Sequence, residues 1–481
     1  MKLLHTLWAG GRRAAVPGGR SLRSRSAFLP CPGRLAPLEC ALALAVLATP
    51  VRAQSLSEVV EAARGYDATY LGTRSATDAA RYRYDQALAL HLPSANLVAT
   101  GGRQTSDTPY VPSQTKLSST SYGATVNVQQ TLFNRQDDLQ IDEARKSVEV
   151  AESQLAQADQ DLLVRVSQAY FNVLTAADAL QSVQANSKAI AQQLASARRN
   201  FEVGNATITD TREAEARADL AHSQEISAEN DLQVGRVTLD QLVGRNGVRP
   251  RALALPATMA AVMPSQVSDW VALAESDSPV LKQARLNLEI AQLETSRAKA
   301  GHLPTLAVTA QYGRTHDRES YGTASAASYG PDGAYGGNGS NKGVTVTLTV
   351  PLFAGFATQA RVHETLALED KARTDAEGSR NGVALNMRTA FLGTLSLGAK
   401  VKALEAAERS SKLALDATVQ GYQVGVKVNL DVLNAQSQLY STQRDLAAAR
   451  YGYLMATLQL RQAAGTLTAN DLQGIDAMLT R

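Results

Sequence analysis

Histidine, cysteine and paired carboxylates are the residues most able to do chemistry, and here they do not assemble into a reactive set. The histidines beyond the N-terminal region, His91, His222, His302, His316 and His363, show no metal-ligand spacing. Both cysteines, Cys31 and Cys40, fall within the first 53 residues, which leaves no thiol in the remainder. No glycine-rich loop follows a strand to cradle a phosphate. No catalytic, cofactor-binding or metal-binding residue is therefore expected, and the chain does not read as an enzyme. The polar groups of interest gather around two glycines. Asn205, Thr209 and Asp210 follow Gly204, while Tyr422, Val426, Lys427, Asp431 and Asn434 surround Gly425. A phenol, an ammonium group and a carboxylate this close in sequence can make reversible links between neighbouring elements.

The elements that carry these groups are duplicated. His91-Leu92-Pro93 returns as His302-Leu303-Pro304, and Ala169-Tyr170-Phe171 returns as Thr389-Ala390-Phe391. Phe201-Glu202-Val203-Gly204 returns as Tyr422-Gln423-Val424-Gly425, and Asp210 as Asp431. Two copies of one long supersecondary unit follow. The expected organisation is a first repeat over 54–245, a linker or equatorial segment over 246–266, a second repeat over 267–465 and a C-terminal equatorial segment over 466–481. Proline is absent between Pro112 and Pro250 and again after Pro351, so both proline-free stretches suit very long helices.

Each repeat opens with a helix, expected over Leu56–Ala89 and Val267–Ala300, and each stops at His-Leu-Pro. Strands follow. Val344, Val346, Leu348, Val350 and Leu352 alternate with Thr345, Thr347 and Thr349, and Tyr122, Ala124, Val126 and Val128 alternate with small polar residues. Weaker alternation runs over Ala95–Gly101 and Leu306–Gly313. The pattern fits an outer-membrane strand, with a soluble antiparallel sheet as the equal alternative. Polar loops over Ser106–Ser121 and Asp317–Asn341 join the pairs. Next, Ile141, Val148, Leu155, Leu162, Ala169, Ala176, Val183, Ile190 and Ala197 recur every seven residues, the seam of a coiled coil. A helix over Asp138–Asn200 would run roughly 95 Å, about three times the bilayer core, so it projects into water. Gly204 suits a left-handed helix end. A new helix is expected near Thr209-Asp210, with Glu213 completing a capping box, returning through Leu220, Leu232, Leu239 and Leu242. The second repeat returns through Val432, Leu439, Leu446, Tyr453, Leu460 and Leu467.

The N-terminal region is basic, then apolar over Ala41–Ala48, then ends at Val51-Arg52-Ala53, as a signal peptide over 1–53 would. No later segment reads as a transmembrane helix. The net charge of +3, from 48 basic and 45 acidic residues, argues against a nucleic-acid partner. Four membrane strands per chain cannot close a barrel, and an open edge in lipid costs several kcal/mol per unpaired group. Two, three or four chains would give eight, twelve or sixteen strands.

The segment Tyr422-Gln-Val-Gly-Val-Lys-Val-Asn-Leu-Asp-Val-Leu-Asn434, with Leu439-Tyr440, Ala449-Arg450-Tyr451-Gly452-Tyr453-Leu454 and Gly465-Thr466-Leu467, resembles the signature of the TolC outer-membrane channel family. Phe201-Glu-Val-Gly-Asn-Ala-Thr-Ile-Thr-Asp210 resembles its partner motif. The resemblance runs from about Ser55 to Leu472. It implies a mainly α fold with a membrane β-barrel: a homotrimer, a 12-stranded barrel in outer-membrane lipid and a periplasmic tunnel of helical hairpins. It also implies partners, a periplasmic adaptor and an inner-membrane pump, in a Gram-negative cell. In this family a gate closes the periplasmic end. Tyr422, Lys427 and Asp431 match its positions, and Thr209 and Asp210 match their partners. Lys427 stands where Arg is common and makes a weaker latch; Asn434 stands where the family has a second Asp. Gly204, Asn205, Gly425 and Val426 would be adaptor-docking tips. Simpler readings exist: Asp210 as a helix N-cap, Asp431 as a solvated face, Lys427 as a tip charge. Two rival classes are a periplasmic coiled-coil adaptor, which needs one hairpin and soluble β-domains, and a trimeric adhesin, which needs no hairpin turns.

Overall fold

Among the described residues, none covers either face of the sheet in this protein. The computed structural model describes residues 53–106, 117–204, 207–254, 262–321 and 334–480; the proposed leader lies outside them. In chain order the elements are α1 (Leu56–Arg64), α2 (Ala68–Leu88), β1 (Ser94–Ser106), β2 (Leu117–Phe133), α3 (Arg135–Glu202), α4 (Ile208–Val243), α5 (Val267–Asp277), α6 (Pro279–Ala300), β3 (Thr305–Tyr321), β4 (Ala334–Thr349), α7 (Ala357–Gln423), α8 (Asn429–Ala464) and α9 (Ala469–Asp476). The expected helix–strand-pair–helical-hairpin order thus occurs twice.

The expected opening helices are each broken. Gly65, Tyr66 and Asp67 separate α1 from α2, and Ser278 alone separates α5 from α6, which starts at Pro279. Asp67 caps α2, accepting the Tyr70 N–H at 2.8 Å, and pairs with Arg165 of α3 at 3.0 Å. Desolvation opposes the Asp67 charge, but the Arg165 and backbone bonds outweigh it and hold the carboxyl below its usual range. Both breaks sit against the glycine that ends the same repeat's return helix. The Tyr66 ring lies 2.3 Å from where a Cβ on Gly244 would stand, and the Asp277 carbonyl 2.5 Å from one on Gly465. Both glycines have positive φ, 68° and 77°. The helix must bend where the return helix arrives, and only glycine fits there.

The sheet is antiparallel throughout, in the order β1-β2-β3-β4, so β1 and β4 are free edges within the chain. The strands are longer than expected. Leu117–Ser121, Asp317–Tyr321 and Ala334–Asn341, expected as loop, continue the ladders. Their Ser, Gly and Asn content hid them, because a small polar residue satisfies a strand facing water on one side. In register, Leu97 faces Val126, Val126 faces Tyr312, and Tyr312 faces Lys342, whose Nζ lies 5.7 Å from the Tyr312 ring centroid. Val344, Val346 and Leu348 on that face are 73%, 63% and 63% exposed. A bare apolar band of this kind belongs in lipid.

Below the sheet, α3 and α7, of 68 and 67 residues, each run about 100 Å and pair with α4 and α8 as hairpins. The seven-residue seam of α8 is fully realised, with Val432, Leu439, Leu446, Tyr453, Leu460 and the following Leu467 all buried. In α4, Leu232 and Leu239 are buried, but Leu220 faces outward. The main core lies at mid-length, where Leu162, Tyr170 and Phe171 of α3 meet Val59 of α1, Leu239 of α4 and Leu458 of α8. A belt of chain ends closes over it. The Tyr170 hydroxyl accepts the Arg251 N–H at 2.8 Å and donates to the Gln54 carbonyl at 3.0 Å; burial raises its pKa and keeps it a donor. Leu253 bridges to Leu479, and the Asp476 carboxylate takes the N–H groups of Leu56 and Ser57 at 2.8 and 3.2 Å, capping α1 from the far end of the chain.

Gly465→Ala should therefore destabilise by more than 2 kcal/mol, since left-handed strain of about 1 kcal/mol adds to a backbone clash. Gly425 has nearly the same φ, 79°, but nothing within 4 Å of a Cβ, so Gly425→Ala should cost only about 1 kcal/mol. Circular-dichroism melts of the detergent-solubilised protein check this; equal midpoints would contradict the packing account.

Candidate functional site

The expected site residues collect at the free ends of the two hairpins. At the first tip, α3 ends with the Gly204 N–H donating to the Phe201 carbonyl at 3.0 Å, and Gly204 takes a φ of 81°. At the second, the Gly425 N–H donates to the Tyr422 carbonyl at 3.1 Å, and the Val426 N–H to the Gly421 carbonyl at 2.9 Å. The two turns are built alike because glycine supplies the left-handed residue that satisfies the last carbonyls. Asn205 lies outside the described residues.

The capping box of the first hairpin is set earlier than expected. Thr207, not Thr209 or Asp210, is the N-cap of α4. Its hydroxyl oxygen accepts the Asp210 N–H at 3.2 Å, and the Asp210 carboxylate accepts the Thr207 N–H at 3.0 Å. Asp210 is thus the third residue of the helix, and Glu213 has no part in the cap. The spacing Thr207-x-x-Asp210 carries the signal, with Asp in place of the commoner Glu. In α8 only half of this device exists. The Asp431 carboxylate accepts the Val428 N–H at 3.4 Å, but Val428 has no side-chain oxygen to return the bond. The same carboxylate takes Lys427 Nζ at 3.4 Å.

Within one chain the residues matched to the family's gate positions meet other partners than those expected. The Tyr422 hydroxyl accepts from Asn200 Nδ2 at 3.3 Å, and Asn434 Oδ1 accepts from Arg217 Nη2 at 3.3 Å. Gln193 of α3 donates to Asn429, a buried residue at the start of α8. Asp210 is engaged by Thr207, and Thr209 is exposed. Asn200, Gln193, Asn429 and Arg217 carried no sequence signal, since Asn, Gln and Arg on a long helix ordinarily face water. Around the tips, Phe201, Val203, Ile208, Val424, Val426 and Val428 are all exposed, Val424 and Val426 by three-quarters or so (74% and 79%). This end offers a small apolar surface; among the described residues no cluster of His, Cys, Asp or Glu could hold a metal.

A sheet with one bare apolar face, mounted on two hairpins of about 100 Å, defines a membrane-anchored conduit subunit. The family model for outer membrane efflux proteins matches residues 72–245 and 270–466, one segment in each repeat, and the chain belongs to that family. Among its relatives, the outer membrane protein TolC of Vibrio cholerae is 32% identical over 451 residues, covering 93% of this chain and 98% of the relative. The alkaline protease secretion protein AprF of Pseudomonas aeruginosa is 30% identical over 370 residues, covering 74% and 72%. Among solved structures, that of the Vibrio cholerae outer membrane protein VceC has a TM-score of 0.69 at 18% identity, over 85% of this chain and 96% of that one. The protein is an outer-membrane export channel of a Gram-negative bacterium with a periplasmic helical tunnel. Its family is a transport family, not one of enzymes.

Thr207→Ala should lose the N-cap and about 1 kcal/mol, read as faster amide hydrogen exchange over residues 208–212. Thr209→Ala should leave that exchange unchanged; the reverse result would restore the cap to Thr209.

Proposed function

We propose that three copies of this chain close into a twelve-stranded barrel and a continuous tunnel. The tunnel would receive cargo from an inner-membrane pump through a periplasmic adaptor that docks on the hairpin tips. The observation that carries this reading is the pair of free edges, β1 and β4, bordering a sheet with a bare apolar face. Those edges come from opposite repeats, as a cyclic head-to-tail assembly requires. The helices agree. Leu385, Leu392 and Leu395 of α7 and Leu220, Val234 and Val237 of α4 are exposed in the single chain, too many apolar groups to leave in water along two helices. In this assembly residues 1–53 are removed on export. The repeats 54–245 and 267–465 form the wall, and segments 246–266 and 466–481 form the equatorial belt.

At the entrance, Lys427 and Tyr422 reach Asp210 and Thr209 in the closed assembly, while Asp431 lines the narrowest ring and Asn434 contributes no charge to it. A partly exposed ion pair is worth only about 0–1 kcal/mol, but the symmetry repeats each link in every subunit. The docking knuckles are Gly204 with Asn205 and Gly425 with Val426, where exposed valines flank a turn that admits close backbone approach. The exported material is a protein or a small molecule handed over by the pump; a periplasmic adaptor role for this chain itself is disfavoured by the four-stranded sheet.

Tyr422→Phe combined with Lys427→Ala should raise single-channel conductance in planar bilayers, and Asp431→Ala should weaken block by multivalent cations modestly. Unchanged conductance in the double variant would remove the latch. Gly425→Leu should abolish export and adaptor cross-linking with the assembly intact, whereas full transport by that variant would show the tip to be a plain turn.

A further inference from the structure

Beyond its apolar band, the outward face of the sheet turns basic. The register carries that face from Leu97 to Arg103 on β1, from Val126 through Tyr122 to Thr120 on β2, from Tyr312 through Arg314 and His316 to Arg318 on β3, and from Val344 to Lys342 on β4. All five basic side chains are exposed. The helices leave from the other end of the strands, so this rim lies on the side away from the periplasmic tunnel. Tyr122 and Tyr312, 59% and 43% exposed, mark the level at which apolar residues give way to bases, as aromatic rings do at a membrane–water interface. The opposite face differs. Among the described strand residues it carries Asp317 and no base, whereas the outward face carries no acid. Charge placed only to keep the rim wet would serve both faces, since both meet water above the membrane. Here it is confined to the face that meets lipid.

We propose that Arg103, Arg314 and Arg318, with Lys342 below them, bind the phosphate groups of a phosphorylated glycolipid in the outer leaflet of the membrane. Arg103 and Arg318 face Thr120 from either side, so at about 4.8 Å between strands two arginines flank one small residue. Arg314 lies four residues nearer the membrane on β3, between Ala124 and Ser340. Arg103 donates from Nε to Ser118 Oγ at 3.3 Å, and Arg314 from Nε to the Tyr312 hydroxyl at 3.2 Å. Those bonds fix each stem and leave the paired Nη groups of the fork to a ligand. Among the described residues, no carboxylate pairs with Arg103, Arg314, Arg318 or Lys342. Guanidinium forks take phosphate oxygens two at a time, and Lys342, with Nζ 5.7 Å from the Tyr312 ring centroid, reaches up from the apolar band as a point charge. The occupant follows from the order of the layers. Val344, Val346 and Leu348 suit acyl chains, and the bases above them suit phosphate, so one amphiphile satisfies both where free phosphate would leave the apolar band bare. With no acid on this face, the contact needs no bridging divalent cation. The inference requires the sheet to stand in the outer membrane and is independent of gate, cargo and number of chains.

Native mass spectrometry of the intact assembly, titrated in detergent with lipid A (an acylated glucosamine disaccharide carrying two phosphates), tests this. The unmodified protein should retain lipid A and bind its fully dephosphorylated form at least tenfold more weakly, since one charge-assisted bond changes affinity about tenfold. Arg103→Gln, Arg314→Gln and Arg318→Gln combined should lower affinity for lipid A to that of the dephosphorylated form. Lys402→Gln, Arg409→Gln and Lys412→Gln combined, which remove three exposed bases from α7, should leave it unchanged. Retention should also survive a metal chelator. Migration on unheated gels controls for assembly of the variants. Equal retention of intact and dephosphorylated lipid A by the unmodified protein overturns the proposal without recourse to any variant. Full retention by the Arg103, Arg314 and Arg318 variant, an equal loss on removing the α7 bases, or release by the chelator overturns it as well. Each of these results leaves the export channel standing.

Discussion

The unpaired edges of the four-stranded sheet govern everything else in this molecule. A backbone N–H or C=O left bare in hydrocarbon costs several kcal/mol, and β1 and β4 each present a full row of them beside an apolar face that none of the described residues covers. Closure against further copies removes those edges, and it also sets the diameter of the helical wall below, since each chain's two hairpins continue directly from its strands. Duplication makes the closure regular. Each repeat contributes two strands and one hairpin, so a ring of chains is also a ring of near-equivalent units.

The same constraint accounts for the equatorial belt. Long hairpins packed by alanine-rich seams slide easily, and the buried cluster near the tips is little more than Ile190, three alanines and Leu433. The register is fixed at mid-length instead, where Tyr170, Asp476 and the glycines Gly244 and Gly465 tie the helix breaks, the segment at Gln54–Leu56 and α9 together. A rigid belt with more lightly packed tips would suit the gate proposed at the entrance. Stability concentrates where the wall must not move, and the ends retain freedom.

Much of this was legible in the residues themselves. Heptad spacing located α3 and α8, and the return seam from Val432 to Leu467 is buried at every step. Glycine at 204 and 425 marked both turns correctly. Three features escaped because the signal was ambiguous rather than absent. The helix breaks at Gly65–Asp67 and Ser278 look like ordinary helix surface until the return glycine is seen against them. Strand ends rich in Gly, Ser and Asn read as loop. The cap at Thr207 is masked by Thr209 and Glu213, because Asp210 is a rarer third residue of a capping box than Glu. Amides such as Asn200 and Gln193 gave no warning at all, since their partners lie more than two hundred residues away.

The account stands or falls on closure by three chains. Native mass spectrometry of the mature protein released from detergent micelles measures it directly. The account predicts a single assembly of three protomers that persists on dilution. A dimer, a tetramer or a stable monomer would contradict it, because none of these supplies twelve strands to seal the edges of β1 and β4.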